Sequence, residues 1–393
     1  MPKLQLKALT LLTFVGSLAL FVQGADTAPP AKVLKPATSF VLPSRFSEAF
    51  FYLSVRIGDE GPFNLILDTG ASYLCISSEV AARLRESGRL TDLHSIRVDT
   101  ASRTEPTVNL AVLSDVRFGD FIARRLKAVV TDMSVLSGVA GEHLDGIVGM
   151  EAFEFGDFVL DYPGRQIRVE TSGARDTNAV VLNCELQFHR PIVTLDLGGR
   201  KFQMFVDSGS SGGFDLPAAT ENLPFAASPV TVGLAANLAD VVEEKAARLA
   251  TNLIWGGVTF ERPTVNLAEV DIGRIGKEVL QNFVVRIDQR RKELVLTPPA
   301  QTVVPSRPIR STGLSLLPDG LRLKVLAVIP DTAAARAGIQ RGDYVVNVNG
   351  EPARRWNSKR LRELRDKADS FEIELVRGDK TERLRLQVAT LVE

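Results

Sequence analysis

Two stretches of the chain read alike: NLILDTGAS at residues 64–72 and QMFVDSGSS at 203–211. Each is an apolar strand that delivers an acid to a tight turn. Glycine relieves the backbone at such a turn and lets a second segment approach closely. The neighbouring Thr or Ser can hydrogen-bond across to backbone. One such turn is an ordinary glycine or Asx loop, but here the surroundings repeat as well. DGIVGMEAFEFGDFVLDYPGRQIRVE, starting at Asp145, is matched by IGRIGKEVLQNFVVRIDQRRKELVL, starting at Ile272. With Gly149 set on Gly276, Asp161 falls on Asp288 and Ile167 on Leu294 without a gap. A repeat of order as well as of motif predicts two homologous lobes, over 43–172 and 184–298, related by a pseudo-two-fold axis that sets Asp68 opposite Asp207. Asp161 and Asp288 read as hairpin-turn residues rather than a second acid pair.

The remaining composition offers little rival chemistry. Lys and Arg balance Asp and Glu, so no bulk basic field favours nucleic acid. With two Cys and three His, and no HExxH, GxGxxG or GxxxxGK stretch, no metal or cofactor is expected. Lys3, Lys7, the apolar run ALTLLTFVGSLALFV and the small residues at Gly24 and Ala25 read as a secretory leader over 1–24, with an uncleaved anchor as the alternative. Residues 25–42 read as a linker. The leader points to the periplasm or the exterior, and no later segment is long and apolar enough to span a membrane. Export permits a Cys75–Cys184 disulfide, and two buried free thiols are the other option. Between Asn237 and Leu253 the pattern reads helical, in the second lobe only. TPPAQTVVPSRP marks a break over 299–310, and a fresh mixed pattern fills 311–391.

Two carboxylates brought close cannot both ionise cheaply; they share a proton and titrate as a unit. One then serves as base and the other as acid, enough to drive water onto a peptide carbonyl. At this point the chain resembles the aspartic proteases of the pepsin and retropepsin type, over roughly 45–298. The matching residues are Asp68, Thr69, Gly70, Ala71 and Ser72 with Ile147, Val148 and Gly149, and Asp207, Ser208, Gly209, Ser210 and Ser211 with Ile275 and Gly276. The resemblance implies a mainly β fold, with two retropepsin-like β-barrel lobes forming a pepsin-like pseudodimer. It implies an endopeptidase with catalytic Asp68 and Asp207, braced by Thr69, Gly70, Ser208 and Gly209, acting on an extended polypeptide in the interlobe cleft. One departure stands out: Arg274, beside Gly273, occupies an apolar position, and a buried Arg is costly without a partner. The flap candidate between Leu90 and Phe118 has no Tyr or Trp, carrying His94 and the polar run Asp99–Glu105 instead.

DGLRLKVLAVIPDTAAARAGIQRGDYVVNVNG resembles a PDZ domain of the bacterial kind appended to secreted proteases. The carriers are the strand ending at Pro330, Ala333 to Ala337, Gly338, Gly342–Asp343 and Val348–Asn349–Gly350. The resemblance implies a small α+β domain that takes a C-terminal peptide as an added strand. Its carboxylate loop would be Gly313, Leu314, Ser315 and Leu316, and its groove wall would run through Leu361 and Leu364, unless these two simply pack the core. A monomer is expected. Two other readings remain: a non-catalytic peptide-binding protein on the same scaffold, and an envelope scaffold acting through the PDZ groove.

Overall fold

The repeat seen in the sequence folds back on itself. In the computed structural model, strand Asp157–Asp161 pairs antiparallel with its own counterpart, Val284–Asp288. Val159 lies opposite Arg286, its equivalent in the second copy, so the pseudo-two-fold axis passes between them. Each partner of this hairpin pair extends the sheet outward: Gln166–Glu170 and Phe40–Val41 on one side, Glu293–Thr297 and Val180–Asn183 on the other. One sheet therefore belongs to both lobes. Asp161 accepts the Gly164 amide at 2.7 Å, and Asp288 accepts the Arg290 and Arg291 amides, so both acids fasten hairpin turns.

The structure describes residues 13–14, 21–22, 39–47, 50–99, 107–153, 156–170, 176–217, 223–236, 241–268 and 270–393. Most of the leader, residues 25–38 of the linker and the tip 100–106 of the hairpin expected to act as a flap lie outside them. Strands Leu90–Asp99 and Thr107–Phe118 form the arms of that hairpin.

Above the shared sheet the two lobes differ. In the first, strands Phe50–Ile57, Glu60–Leu67, Gly146–Val148, Leu74–Ser77, Phe121–Thr131 and Thr107–Phe118 are hydrogen-bonded in that order. Arg56 and Ile57 then pair with Arg117 and Val116, which closes the ring. In the second, the order from Arg190–Leu197 through Arg200–Val206, Gly273–Ile275, Phe214–Pro217, Thr264–Ala268 and Val241–Arg248 to Val230–Ala236 stays open among the described residues. The expectation of two retropepsin-like barrels is corrected accordingly: one barrel closes, and the second lobe is an open mixed sheet. The closing contact in lobe one comes from the long strand 107–118, which reaches both neighbours.

The helix expected between Asn237 and Leu253 is a strand, Val241–Arg248. Its Glu, Lys and Ala residues favour helix, but Ala246 and Ala247 are buried between two neighbouring strands, and tertiary pairing overrides the local preference. Cys75 and Cys184 are both buried and free, which corrects the disulfide. One apolar core runs through both lobes, from Leu42 to Leu296.

The C-terminal region has its own core, built on Leu323, Val325, Val345, Phe371 and Ile373. Its sheet runs Leu314–Asp319, Arg322–Val328, Tyr344–Val348, Ser370–Arg377, Lys380–Gln387, with helix Ser358–Lys367 alongside, so strand 314–319 is an edge. The connecting stretch is stitched to lobe two, since Val303–Val304 pairs with Thr259–Phe260. Among the described residues no helix is long and apolar enough to cross a membrane.

Arg274 is the departure that the fold absorbs. In lobe one the equivalent Ile147 sits opposite Cys75, an apolar pair. In lobe two Arg274 sits opposite Asp215, with Nε 3.2 Å from Oδ2 and both side chains buried. Asn266 donates to the other Asp215 oxygen at 2.9 Å. The lobes thus differ at both positions, apolar in the first and ionic in the second. Removing one partner strands a buried charge, so Asp215→Ala is expected to cost about 3–5 kcal/mol in denaturant unfolding. Transplanting the lobe-one pair, as Asp215→Cys with Arg274→Ile, recovers most of that loss; equal destabilisation by the double variant would show that the pair does more than fill space.

Candidate functional site

The two acid turns meet across the lobe boundary. Thr69 Oγ1 donates to the Val206 carbonyl at 2.5 Å and accepts the Ser208 amide at 2.9 Å. Ser208 Oγ mirrors it, donating to the Leu67 carbonyl at 3.0 Å and accepting the Thr69 amide at 3.1 Å. Four crossing hydrogen bonds thus join the hydroxyl of each turn to the backbone of the other. All of them are buried, where a hydrogen bond is both stronger and harder to replace.

Behind this clasp the acids are held alike. Each strand end is tied to its glycine segment, with Asp68 N–H on the Val148 carbonyl and Asp207 N–H on the Ile275 carbonyl, both at 3.0 Å. Asp68 Oδ1 accepts the Gly70 amide at 2.7 Å; Asp207 Oδ1 accepts the amides of Gly209 and Ser210 at 2.9 and 3.0 Å. A Cβ on Gly70 would fall 2.7 Å from Asp207 Cγ, and one on Gly209 would fall 2.4 Å from Asp68 Cγ. Each glycine is therefore the floor under the other lobe's carboxyl, and no larger residue fits. The carboxyls share one enclosed site, at 1% and 0% exposure. Burial raises the Asp68 carboxyl well above the usual range, and the Asp207 charge and the hydrogen bond with it push the same way.

Around the pair stand further residues, of which sequence reasoning singled out only Cys75, as half of a disulfide. Arg190 is fully buried, with its guanidinium 4.3 Å from the Phe205 ring centre and hydrogen bonds to the Gln187 carbonyl and side chain at 3.2 and 3.1 Å. Burial brings it down to about 10, while the charges of Asp68, Asp207 and Tyr73 hold it up. Its charge in turn favours ionised Asp68. Arg190 opens strand 190–197 as Phe50 opens strand 50–57, with the same sequence of buried and exposed positions. That alignment was the available signal. Tyr162 is raised by burial and then by the Asp207 charge, and its ring packs on Phe46 and Phe51. Cys75 is raised by burial and then by Asp68, and is no nucleophile.

The expected PDZ loop is part of a β pair: Leu314, Ser315 and Leu316 face Val328, Ala327 and Val325. The Gly313 amide is already engaged, donating to Ser311 Oγ at 2.9 Å. Leu361 lines the groove beside this strand, and Leu364 packs on the domain core. Among the described residues no cluster of three His, Cys, Asp or Glu side chains is placed to hold a metal.

Comparison with known proteins bears on both regions. The aspartyl protease family model matches residues 53–152, and the PDZ domain model matches 324–370. The C-terminal region is a PDZ domain. The chain is 35% identical over 79 residues to the putative serine protease HhoA of Synechocystis sp., covering 19% of this chain and 20% of that protein. It is 52% identical over 44 residues to human rhophilin-1, covering 11% of this chain and 6% of that one. Among solved structures, the HtrA3 PDZ domain bound to a phage-derived ligand is 24% identical over 21% of this chain and 86% of that one, with a TM-score of 0.19. The photosystem II D1 C-terminal processing protease is 27% identical over 20% of this chain and 23% of that one, also at 0.19. Both TM-scores are too low to bear on the fold. The chain spans about a fifth of HhoA and less of rhophilin-1.

These findings support protease and PDZ character and correct the assignment drawn from sequence. The aspartyl protease match ends at Ala152, inside lobe one, and covers well under half of the chain. HhoA, the curated relative named as a protease, is of serine type. The label of a bilobal pepsin- and retropepsin-like aspartic endopeptidase over 45–298 is therefore withdrawn as a family assignment. The non-catalytic scaffold is withdrawn with it, because the family match over 53–152 and HhoA both carry protease descriptions.

The clasp makes a direct prediction. Thr69→Ala leaves the Ser208 amide and the Val206 carbonyl buried without partners, at about 1–3 kcal/mol for each orphaned group. Ser208→Ala does the same to Thr69 and Leu67. In urea unfolding both variants lose stability, and the double variant loses less than the sum, because the four bonds act as one unit. Strict additivity would show that the two halves of the clasp are independent.

Proposed function

We propose that the chain is an exported peptidase of the periplasm or exterior that acts on extended polypeptide, with Asp68 and Asp207 as its reaction centre and the PDZ domain docking substrate tails. The observation that carries this reading is the enclosed carboxyl pair on a two-lobe floor, with Asp68 raised by burial and then by its partner. One carboxyl keeps a proton while the other is ionised. The ionised member takes a proton from a water as its oxygen bonds to the peptide carbonyl carbon. The protonated member gives its proton to the carbonyl oxygen. The tetrahedral diol then collapses: one hydroxyl returns its proton to the carboxyl that donated it, the C–N bond breaks, and the amine nitrogen leaves with the proton first taken from water. Thr69 and Ser208 hold the two turns in register throughout. Both carboxyls are closed to solvent in this state, so substrate binding requires the cleft to open.

A serine nucleophile is the second reading, favoured by the resemblance to HhoA. The described histidines give it no support: His143 pairs with Asp145 at 3.2 Å, His94 bonds the Asp92 carbonyl at 2.7 Å, and His189 faces Lys127 and Gln289. The deciding experiment uses denatured protein as substrate. Asp68→Asn and Asp207→Asn each lower turnover at least about hundredfold, while a fluorophosphonate neither labels nor inhibits the wild type. Labelling by that probe, with activity surviving both Asn variants, overturns the proposal in favour of serine chemistry.

Folding energy follows the same proton. Folded Asp68 keeps its proton to higher pH than the unfolded chain does. Stability contributed by that proton is fully present below the ordinary Asp range of about 4 and is lost as pH rises through the raised value. Asp68→Asn, which never ionises, should melt higher than wild type near neutrality. Its advantage should vanish in acid; melting curves for both proteins across pH would show it, and an advantage independent of pH would assign the effect elsewhere.

A further inference from the structure

We infer that the PDZ domain is a latch across the two lobes: seated, it fastens hairpin 230–248 of lobe two to helix 134–140 of lobe one, and an extended polypeptide tail entering its groove lifts it. Sheet order makes Val230–Ala236 and Val241–Arg248 the lobe-two counterpart of the flap arms Leu90–Asp99 and Thr107–Phe118. In lobe one the second arm is held by its own barrel, through Arg56 and Ile57 on Arg117 and Val116. In lobe two the described residues make no such closure, and the hairpin is covered from outside instead. Val232 and Ala246, one from each arm, form a buried apolar cluster with Val392, against which Ile309 and Leu391 also pack. Strand Ala389–Val392 pairs with Ile309–Ser311, at the entry to the PDZ domain. Edge strand Leu314–Asp319 lies beside the same hairpin.

The edge strand also grips lobe one. Leu317 is buried, and a Cβ on Gly138 of helix Ser134–Ala140 would stand 3.1 Å from its Cδ1. A Cβ on Gly141, which caps that helix, would fall 3.7 Å from the Cβ of Asn357, the cap of helix Ser358–Lys367. Leu317 and Asn357 bound one end of the groove between strand and helix. Arg310 marks the other end, beside the Gly313 loop, by donating to the Asp366 carbonyl at 2.8 Å and to Asp369 at 3.0 Å. A tail whose terminal carboxylate sits at that loop runs past Leu314 and Leu316. After about four residues, at ~3.3 Å each, it reaches Leu317 and Asn357. Helix 134–140 stands across that mouth. A short tail fits the seated domain, whereas a longer one needs the place that lobe one occupies. The helix in turn shares a buried cluster, through Leu136 and Ala140, with Ala71 of the first acid turn. Lifting the domain therefore frees the second hairpin and unloads the helix behind Asp68 in one movement, which is the opening that the enclosed carboxyls require.

This inference rests on peptide docking in the proposed function and not on the chemistry of the carboxyl pair. The test uses the full chain carrying Asp207→Asn, so that peptide is not consumed, with and without Gly138→Arg, whose side chain displaces Leu317. The probes are acetyl-Ser-Leu-Ser-Val with a free carboxylate, and the same four residues preceded by three Gly-Ser pairs. Calorimetric titration is expected to show the long probe binding about tenfold more tightly to Gly138→Arg than to its parent, because the parent must first unseat. The short probe binds both alike. Amide hydrogen exchange across 230–236 and 241–248 is expected to rise in Gly138→Arg, and to rise in the parent with the long probe only. Hairpin exchange indifferent to Gly138→Arg overturns the latch, and equal affinity of the long probe for both proteins overturns its release by a tail. If Gly138→Arg does not fold, Leu317→Ser removes the same contact from the other side and is read in the same way. Failure of both probes to bind either protein sinks release together with peptide docking. The expected responses, in a protein whose wild type shows no turnover of denatured protein, sink the carboxyl-pair reading and leave the latch standing.

Discussion

The arrangement of the two lobes depends on four buried hydrogen bonds between Thr69 and Ser208 turns. An acid at the end of a strand is free to point anywhere that its turn allows. Here each turn is fixed by the backbone of the other, so neither carboxyl can move without its partner. The paired hairpins at Val159 and Arg286 apply the same constraint a layer below, because a lobe that slid would break the register of a sheet that both share. Placement of the carboxyl pair is thus a property of the interface, and it has been made rigid at two depths. This is the preorganisation that acid–base chemistry needs, since a pair that shares a proton is sensitive to small changes in separation.

Symmetry of this kind constrains evolution of the halves unevenly. Floor positions stay paired: Gly70 with Gly209, and Thr69 with Ser208. One step back, the halves diverge, and they do so by coupled changes. Ile147 against Cys75 becomes Arg274 against Asp215, an exchange that would be ruinous if made one residue at a time. Phe50 becomes Arg190, and here the new charge is seated over Phe205 and bonded to Gln187. Both changes bring positive charge into lobe two, but they differ in consequence. Arg274 is neutralised locally by Asp215. Arg190 reaches the carboxyl pair and opposes the rise that burial imposes on Asp68. The lobe whose sheet stays open among the described residues is therefore also the one that supplies the electrostatic bias.

Much of this was legible in the residues. An apolar strand ending in Asp, a hydroxyl and Gly, written twice with a matching hairpin downstream, left few ways to fold, and the offset between the hairpins reappears as their register. What escaped was decided by partners distant in the chain. Asp215 lies far from Arg274, so the sequence showed a buried charge but not its neutraliser. Residues 241–248 have helical preferences, and only the strands on either side make them extended. Whether a lobe closes depends on Arg56 and Ile57 reaching Arg117 and Val116, and periodicity carries no trace of that contact. The two cysteines, equally compatible with a bond or with burial, lie buried and unbonded.

The PDZ groove shows the same limit from the other direction. Helical spacing from Leu361 suggests Leu364 as its neighbour in the wall, since both are apolar. The helix instead turns Leu364 toward the core and presents Arg362 and Arg365. An apolar pattern identifies the buried face of a helix, whereas a binding groove lies at the margin of that face, where long cationic side chains can cover apolar surface and keep their heads in polar surroundings.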